Sequence, residues 1–354
     1  MALTTLAQAS QVQKWDAKFL KEYVRDCGFM PYMGKGPGSI FQTKYELTSG
    51  GKTINMGLIR RLVGAGVTGN STLVGNEEAM NNYHMSVSVD WLRNAVAYQK
   101  PEQHWTEMDF REASNDILKT WAMDKLRDDL IAALGSVNGA LYSAASAAQK
   151  NAWTAGNADR VLFGNAVSNY NATHSTALAT IDATADKFNS SSISLLKRIA
   201  TKADPHIRPT RVNAGQGREY FVAFTNSFGF RDLKEDPVMQ QANREARPRD
   251  VNDNPIFQDG DLIYDGVIIR EIPEIKSIVG VGAGGIDVAP VYFCGAQAVA
   301  LAWGQQPQSR TRKEDDYAFT VGLGIEECRG IQKFVFNGID HGMVTGFFAS
   351  APDA

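Results

Sequence analysis

Gly64, Gly66 and Gly69 stand at the spacing G-x-G-x-x-G within LVGAGVTGNSTLVGNEE. In a dinucleotide-binding protein such a turn comes after a strand and opens a helix, whose N-terminus holds the pyrophosphate. A strand pattern precedes Gly64. Beyond Gly69, however, Asn70, Ser71, Thr72, Gly75 and Asn76 make a poor opening for a helix. The next element is an alternating strand, and the sequence continues into no βαβ unit. The glycines therefore read as loop residues that supply positive φ, and no cofactor is expected. A second candidate is DVNDNPIFQDGD, with Asp250, Asn252 and Asn254 at alternate positions and Asp261 in the twelfth. A calcium loop needs glycine where Pro255 stands and a bidentate glutamate where Asp261 stands. A solvated acidic loop is expected there, and no metal.

The other residues capable of chemistry do not cluster. His84, His104, His174, His206 and His341 are scattered, form no H-E-x-x-H, and each reads as a surface or polar-face residue. C-x-x-C, G-x-S-x-G and the P-loop pattern are missing from the sequence. Cys27, Cys294 and Cys328 are odd in number and far apart, which points to a reducing compartment without a disulfide framework. Cys294 and Cys328 lie in apolar strand contexts and read as core. The runs RTRKEDDYAF and QQANREARPRD mix both signs and read as solvated faces or intersubunit ion-pair surfaces. The expectation is a protein of structure and assembly, not an enzyme.

Composition agrees. The chain has 354 residues, 44% of them hydrophobic, enough for a sizeable core. Thirty-six basic residues against 39 acidic ones give a net charge of -3, which argues against a surface that tracks phosphates throughout. MALTTLAQASQVQKWDAKFL carries no signal-peptide pattern, and no run of 18 apolar residues occurs. A soluble protein made in a cytoplasm, with no membrane partner, is expected.

The positioning elements are read from periodicity. Leu6, Val12, Trp15, Phe19 and Tyr23 form a helical stripe over 6–26, cut off by CGFMPYMGKGPGSI. Residues 40–99 read as β, with IFQTKYEL and KTINMGLIRRLV flanking a Ser49-Gly50-Gly51 turn. The clearest strand is YHMSVSVDW, where Tyr83, Met85, Val87, Val89 and Trp91 alternate with polar residues and give a face that can lie against a partner. A helix over 106–134, opened by Thr106 and Asp109 as a capping box, would be roughly 43 Å long. It carries two apolar rows: Phe110, Ala113, Ile117 and Trp121, then Leu118, Ala122, Leu126 and Leu130. Residues 136–190 read mostly as loops with short elements. Next come a helix (SISLLKRIATKA), a strand (EYFVAFTN), a helical segment broken at Pro237, and a strand (DLIYDGVIIREI). VAPVYFCGAQAVALAW passes from a strand to a small-residue helix, and the tail reads as two strands. With no regular β-α alternation, the fold class is α+β.

The order and spacing of several stretches resemble a major capsid protein family of tailed, double-stranded DNA bacteriophages. They are TINMGLIRRLVGAGVTGNSTLVGNEEAMNNYHMSVSVDWLRNAV, ATIDATADKFNSSSISLLKRIATKADPHIRPTR, YFVAFTNSFGFRDLKEDPVMQQANREA, NPIFQDGDLIYDGVIIREI and FCGAQAVALAWG. The resemblance covers roughly residues 40–350 and implies the Hong Kong 97-like fold. It implies an N-terminal arm (1–35), an extended loop (36–100), a peripheral domain with a spine helix (101–204), an axial domain (205–325), and C-terminal strands returning to the peripheral domain (326–354). It also implies a virion protein, assembled in the host bacterial cytoplasm, whose hexamers and pentamers close into an icosahedral shell. Implied partners are other copies of itself, a portal, a separate scaffolding protein, a decoration or cement protein, and packaged double-stranded DNA held by weak non-specific contact. Subunit contacts are expected from Trp15 and Phe19 in the arm, and from Gly64, Gly66, Gly69, Gly75, Tyr83, Met85 and Val87 in the loop. Some members cross-link subunits through Lys and Asn; Lys44 and Lys52 lie in the loop region, but no matching acid and Asn stand out, and no cross-link is expected. The alternative is an encapsulin-type nanocompartment shell, which would hold a cargo enzyme and lack a portal.

Overall fold

The computed structural model describes residues 28–62, 64–80, 82–105, 110–211, 219–245, 262–312 and 319–353. The expected N-terminal helix, with Trp15 and Phe19, lies outside them. So do Cys27, the capping box at 106–109 and the calcium-like loop 250–261.

Leu118, Ala122, Leu126 and Leu130 recur every four residues along the helix Phe110–Leu134, and all four are buried. Its 25 residues span about 37 Å. In the other expected row, Trp121 packs against the edge of the same core. Ile117 in the other row is 61% exposed and Trp121 half-buried. The buried row packs on a five-stranded sheet, together with Phe41, Val299, Leu301, Trp303, Leu323 and Ile325. The strand order is Met33–Gly34, Phe41–Lys44, Val299–Thr311, Thr320–Lys333 and Asp90–Gln99. Arg329 fastens the sheet to the helix: its guanidinium stands 2.7 Å from Asp129 and 2.7 Å from Glu327, and is almost wholly buried.

A seven-stranded sheet forms the other half. Its main path runs Val161–Phe163, Met343–Ala349, Val288–Cys294, Glu219–Thr225, Val267–Glu271 and Leu262–Tyr264, and Thr210–Arg211 pairs at the side with Glu219–Thr225. The two central strands, Val288–Cys294 and Met343–Ala349, are buried at every position, as strands covered on both faces must be. On one face Val291, Phe293, Val344 and Phe348 meet Ile193 and Leu196 of the helix Ser190–Lys202, and Phe230 and Leu233 of the helix Ser227–Glu235. On the other face Tyr292, Cys294 and Met343 join the spine-helix core. Phe347 and Ala349 join a cluster around Trp153, Leu178 and Ile181. The spine-helix cluster is thus shared by both sheets.

Three sequence expectations need correction. VAPVYFCGAQAVALAW holds no helix: it supplies Val288–Cys294 to one sheet and the start of Val299–Thr311 to the other. DLIYDGVIIREI is a hairpin turning at Asp265 and Gly266, whose φ values are 49° and 73°, as an Asp-Gly turn allows. The segment 136–190 is mostly loops with short elements, as expected, the longest being the helix Ala147–Gly156, opened by a Ser146/Gln149 capping box. The strand expected over 83–91 ends at Ser88; Asp90 begins an edge strand of the five-stranded sheet. Sheet membership also cuts across the expected boundaries. Thr320–Lys333 stays in the five-stranded sheet, whereas Met343–Ala349 lies near the centre of the other. No described helix is long and apolar enough to cross a membrane.

Candidate functional site: an extended hairpin and its seat

Thr53–Ile59 and Asn82–Ser88 pair antiparallel, with Ile54 opposite Val87, Met56 opposite Met85 and Leu58 opposite Tyr83. Period-2 alternation puts all six on one face. That face lies on Leu47, Ala300, Ala302, Cys328, Phe334 and Phe336 of the same chain. The sheet is prepared for it. A side chain on Gly330 would place its Cβ 2.0 Å from the Ser88 carbonyl oxygen, so only glycine lets the hairpin backbone come down here. Val335 N–H donates to Met85 Sδ at 3.4 Å. Farther out, Arg60 and Arg61 both approach the Asp204 carboxylate, at 3.1 and 3.8 Å. These pairs are solvated and hold the distal hairpin only weakly.

This arrangement corrects two expected contacts. Met85 is 6% exposed and Val87 1%, so each is taken up inside its own subunit. Tyr83 is half-buried beside Phe336 and His341. The strand's open face is the polar one, with His84, Ser86 and Ser88.

Beyond the paired strands the chain runs through a loop of turns. Gly66, Gly69 and Gly75 take φ values of 70°, 68° and 88°, as expected of loop glycines. Gly64 does not, and the only close atom a Cβ would meet there is the movable end of the Glu78 side chain, at 2.7 Å. The Gly64 N–H donates to Glu78 Oε2 at 2.6 Å, and the Gly75 N–H to Glu77 Oε2 at 2.7 Å. No helix opens after Gly69. Carboxylates already occupy two of the loop amides, and they would repel a pyrophosphate. The glycine spacing therefore makes an acid-tied loop, not a dinucleotide turn. Ile59, Leu62, Leu73, Val74 and Met80 stand out along this segment, Val74 at 80% exposure. Sequence reasoning found the loop glycines but missed Arg60, Arg61, Asp204, Glu77 and Glu78. The Arg-Arg pair at a strand end and the Glu-Glu pair after the glycines were the available signals.

The buried polar groups serve the scaffold. Lys333 Nζ lies 2.8 Å from Asp340 Oδ2, with both side chains buried, and Trp153 Nε1 donates to the same oxygen at 3.1 Å. His174, expected at the surface, is instead a core residue between Tyr142 Oη (2.8 Å from Nε2) and Thr154 Oγ1 (2.9 Å from Nδ1). Burial, helped by Lys150, lowers its pKa to about 4. Cys294 and Cys328 are core thiols as expected, and burial raises the pKa of both. Arg310 of the mixed-sign run pairs with Glu326 at 2.7 Å within the subunit.

Comparison with known proteins supplies the identity. The family model described as phage capsid protein matches residues 3–346. A major capsid protein of Pseudomonas phage KPP25 is 27% identical over 371 residues, which cover 95% of this chain and 93% of that protein. The fold matches the capsid asymmetric unit of cyanophage Pam1 at a TM-score of 0.85, with 44% identity over 92% of each chain. It matches the capsid of Ralstonia phage GP4 at a TM-score of 0.71, covering 92% of this chain and 91% of that one. At 21% identity, that second likeness shows the fold alone. These relatives are phage capsids, which sets aside the nanocompartment alternative. The chain belongs to the phage capsid protein family: it is a major capsid protein, a virion component of Hong Kong 97-like α+β fold that builds an icosahedral shell.

Proposed function

We propose that copies of this chain form the hexamers and pentamers of a shell around double-stranded DNA, and that the distal loop, residues 60–81, lies on a neighbouring subunit. The observation that carries the loop assignment is the set of exposed apolar side chains at Ile59, Leu62, Leu73, Val74 and Met80, held out by a hairpin whose base is seated. A lone soluble subunit gains nothing from such a patch, whereas an interface buries it. Gly66, Gly69 and Gly75 give the loop freedom to meet different local curvature, and the Gly64 N–H ties it to Glu78. The spine helix with the five-stranded sheet corresponds to the peripheral domain, and the seven-stranded sheet with its helices to the axial domain. The family resemblance supports further partners: a portal, a separate scaffolding protein and a decoration or cement protein. The net charge of -3 fits weak, non-specific contact with packaged DNA. Assembly takes place in the host bacterial cytoplasm.

The test is negative-stain electron microscopy of the protein, expressed alone and with its neighbouring genes. Closed shells or hexamer sheets are expected, and only small discrete oligomers in both preparations would overturn the reading. A chain lacking residues 64–76 should fold with an unchanged melting temperature and close few shells. Normal shells from it would remove the loop from the interface.

A further inference from the structure

The hairpin is seated at its base and exposed towards its tip. Met85 and Val87 are buried on the five-stranded sheet, while Ile59 and the whole segment 71–80 stand in solvent. Beside the outer strand pairs, Leu58, Tyr83, Pro205 and His341 line a crevice between the hairpin and the body. Charged groups reach across it. Arg60 and Arg61 meet the one carboxylate of Asp204, which follows the helix Ser190–Lys202 on the seven-stranded half. The contact thus joins a hairpin carried by one sheet to a segment carried by the other. Asp204 is fixed from behind. Its backbone N–H donates to Asp159 Oδ2 at 3.0 Å. The neighbouring Arg160 side chain is fully buried and donates to the Pro205 carbonyl at 2.7 Å and to the His341 carbonyl at 3.3 Å. A cation with no room to move therefore holds the peptide that carries the acid, whereas the Asp204 carboxylate itself stays open to the hairpin arginines.

We propose that Asp204 is a fixed electrostatic stop that sets the angle at which the distal loop is presented to a neighbour, and that ionic strength tunes it. This rests on the reading of that loop as an assembly surface. With the contact closed, Leu62, Leu73 and Val74 still stand in solvent, so the closed position is one that presents the patch. A loop held there loses less freedom when a second copy covers it than one that swings, and docks more readily. The arginines follow Ile59, the last paired residue of the first hairpin strand. The stop therefore acts at the root of the loop, where a small displacement is carried to the tip. Each pair is solvated and weak alone. Two cations on one anchored carboxylate bias the loop without locking it, which leaves it able to follow different local curvature. The screening length falls from about 8 Å at roughly physiological salt to about 3 Å at about 1 M, so added salt opens the contact.

The test follows the loop in full-length subunits kept too dilute to assemble. A dye is attached through S71C in a chain carrying C27S, since Cys294 and Cys328 are buried, and its local mobility is read by time-resolved anisotropy. In this parent, mobility is expected to rise about 2-fold as salt is raised, the size that solvated pairs support. D204N is expected to be mobile already at low salt and to respond little to more. The charge reversal R60D/R61D/D204R should restore both the low mobility and its salt response, which a merely structural role of Asp204 would not do. Equal mobility and equal salt response in parent and D204N would overturn the proposal, and so would a reversal that restores neither. Should D204N fail to fold, R60Q/R61Q replaces it with the same expectations. At a matched concentration of folded subunit, D204N should also close shells about 2-fold more slowly by light scattering, and the reversal should recover the parent rate. Unchanged closure would overturn the proposal. Mobility is read without assembly, so a loop that D204N does not loosen leaves the assembly reading untouched; that reading falls only with normal shells from the chain lacking residues 64–76.

Discussion

At the scale of single residues, the informative side chains are the buried charged and titratable ones. Lys333 and Asp340 form an ion pair sealed from water, and the Trp153 indole N–H completes it. Removing one partner leaves the other charge buried and alone, which costs about 3–5 kcal/mol. Lys333→Met should therefore lower the unfolding free energy by that amount in denaturant titration. The double variant Lys333→Met/Asp340→Leu should lose less than the single one, which an additive pair of effects would contradict. His174 carries a pH signature. Its folded pKa of about 4 lies below the unfolded value, so protonation favours the unfolded chain. Stability is complete above about pH 6.5, falls as the pH drops, and levels off near pH 4; the loss is on the order of 3 kcal/mol. His341 is lowered to about 4 by burial, with Arg160 and Arg208 adding to it, and contributes in the same direction. Melting temperatures should fall as the pH is taken from about 7 to about 4.5. The slope should be shallower in His174→Asn, although that variant starts from a lower value at neutral pH. An unchanged slope would mean that His174 does not titrate in this window. Neither histidine was legible in the sequence, because a lone histidine carries no mark of the elements that close over it from 20 to 181 positions away.

At the scale of elements, periodicity exposed what one neighbour determines and missed what two neighbours determine. The spine helix was legible because the row Leu118, Ala122, Leu126 and Leu130 faces one sheet. The strand Val299–Thr311 was not. It is covered on both faces, by the spine-helix core at Val299, Leu301 and Trp303 and by the hairpin at Ala300 and Ala302. Its alanines are small because the hairpin lies on them, and a run of small residues reads as helix when that partner is out of view. The hairpin showed the same limit. The alternation of Tyr83, Met85 and Val87 correctly announced one buried face, but the covering surface belongs to the same chain. Gly330 gives the element-scale prediction. Its missing Cβ would meet the Ser88 carbonyl at 2.0 Å, so Gly330→Ala must lift the hairpin or bend the strand. The cost should be about 1–3 kcal/mol, as for overpacking elsewhere in a core. Limited proteolysis should cut within 53–88 sooner than in the parent protein. Unchanged cleavage and stability would mean that the hairpin is not pressed onto this strand.

At the scale of the whole molecule, the hairpin divides the apolar surface into two kinds that a composition count cannot separate. Met85 and Val87 stabilise the subunit, whereas Leu73 and Val74 project from it. If the distal loop is an assembly surface, substitutions in the two groups must separate folding from assembly. Val87→Ala removes buried methyl groups and should cost about 2 kcal/mol of subunit stability. Leu73→Ser with Val74→Ser removes only side chains in contact with water. It should leave the unfolding free energy within about 0.5 kcal/mol of the parent. Shell yield should respond in the opposite order. At a matched concentration of folded subunit, the loop double variant should give fewer closed shells in gradient sedimentation, and Val87→Ala should assemble normally from whatever fraction is folded. A subunit destabilised by the loop changes would show that the loop packs on its own body and that the patch is core. Full assembly by the loop variant would show that neighbours do not use these side chains. The expected result, unchanged stability with lost closure, requires the apolar side chains at 73 and 74 to be buried by another copy.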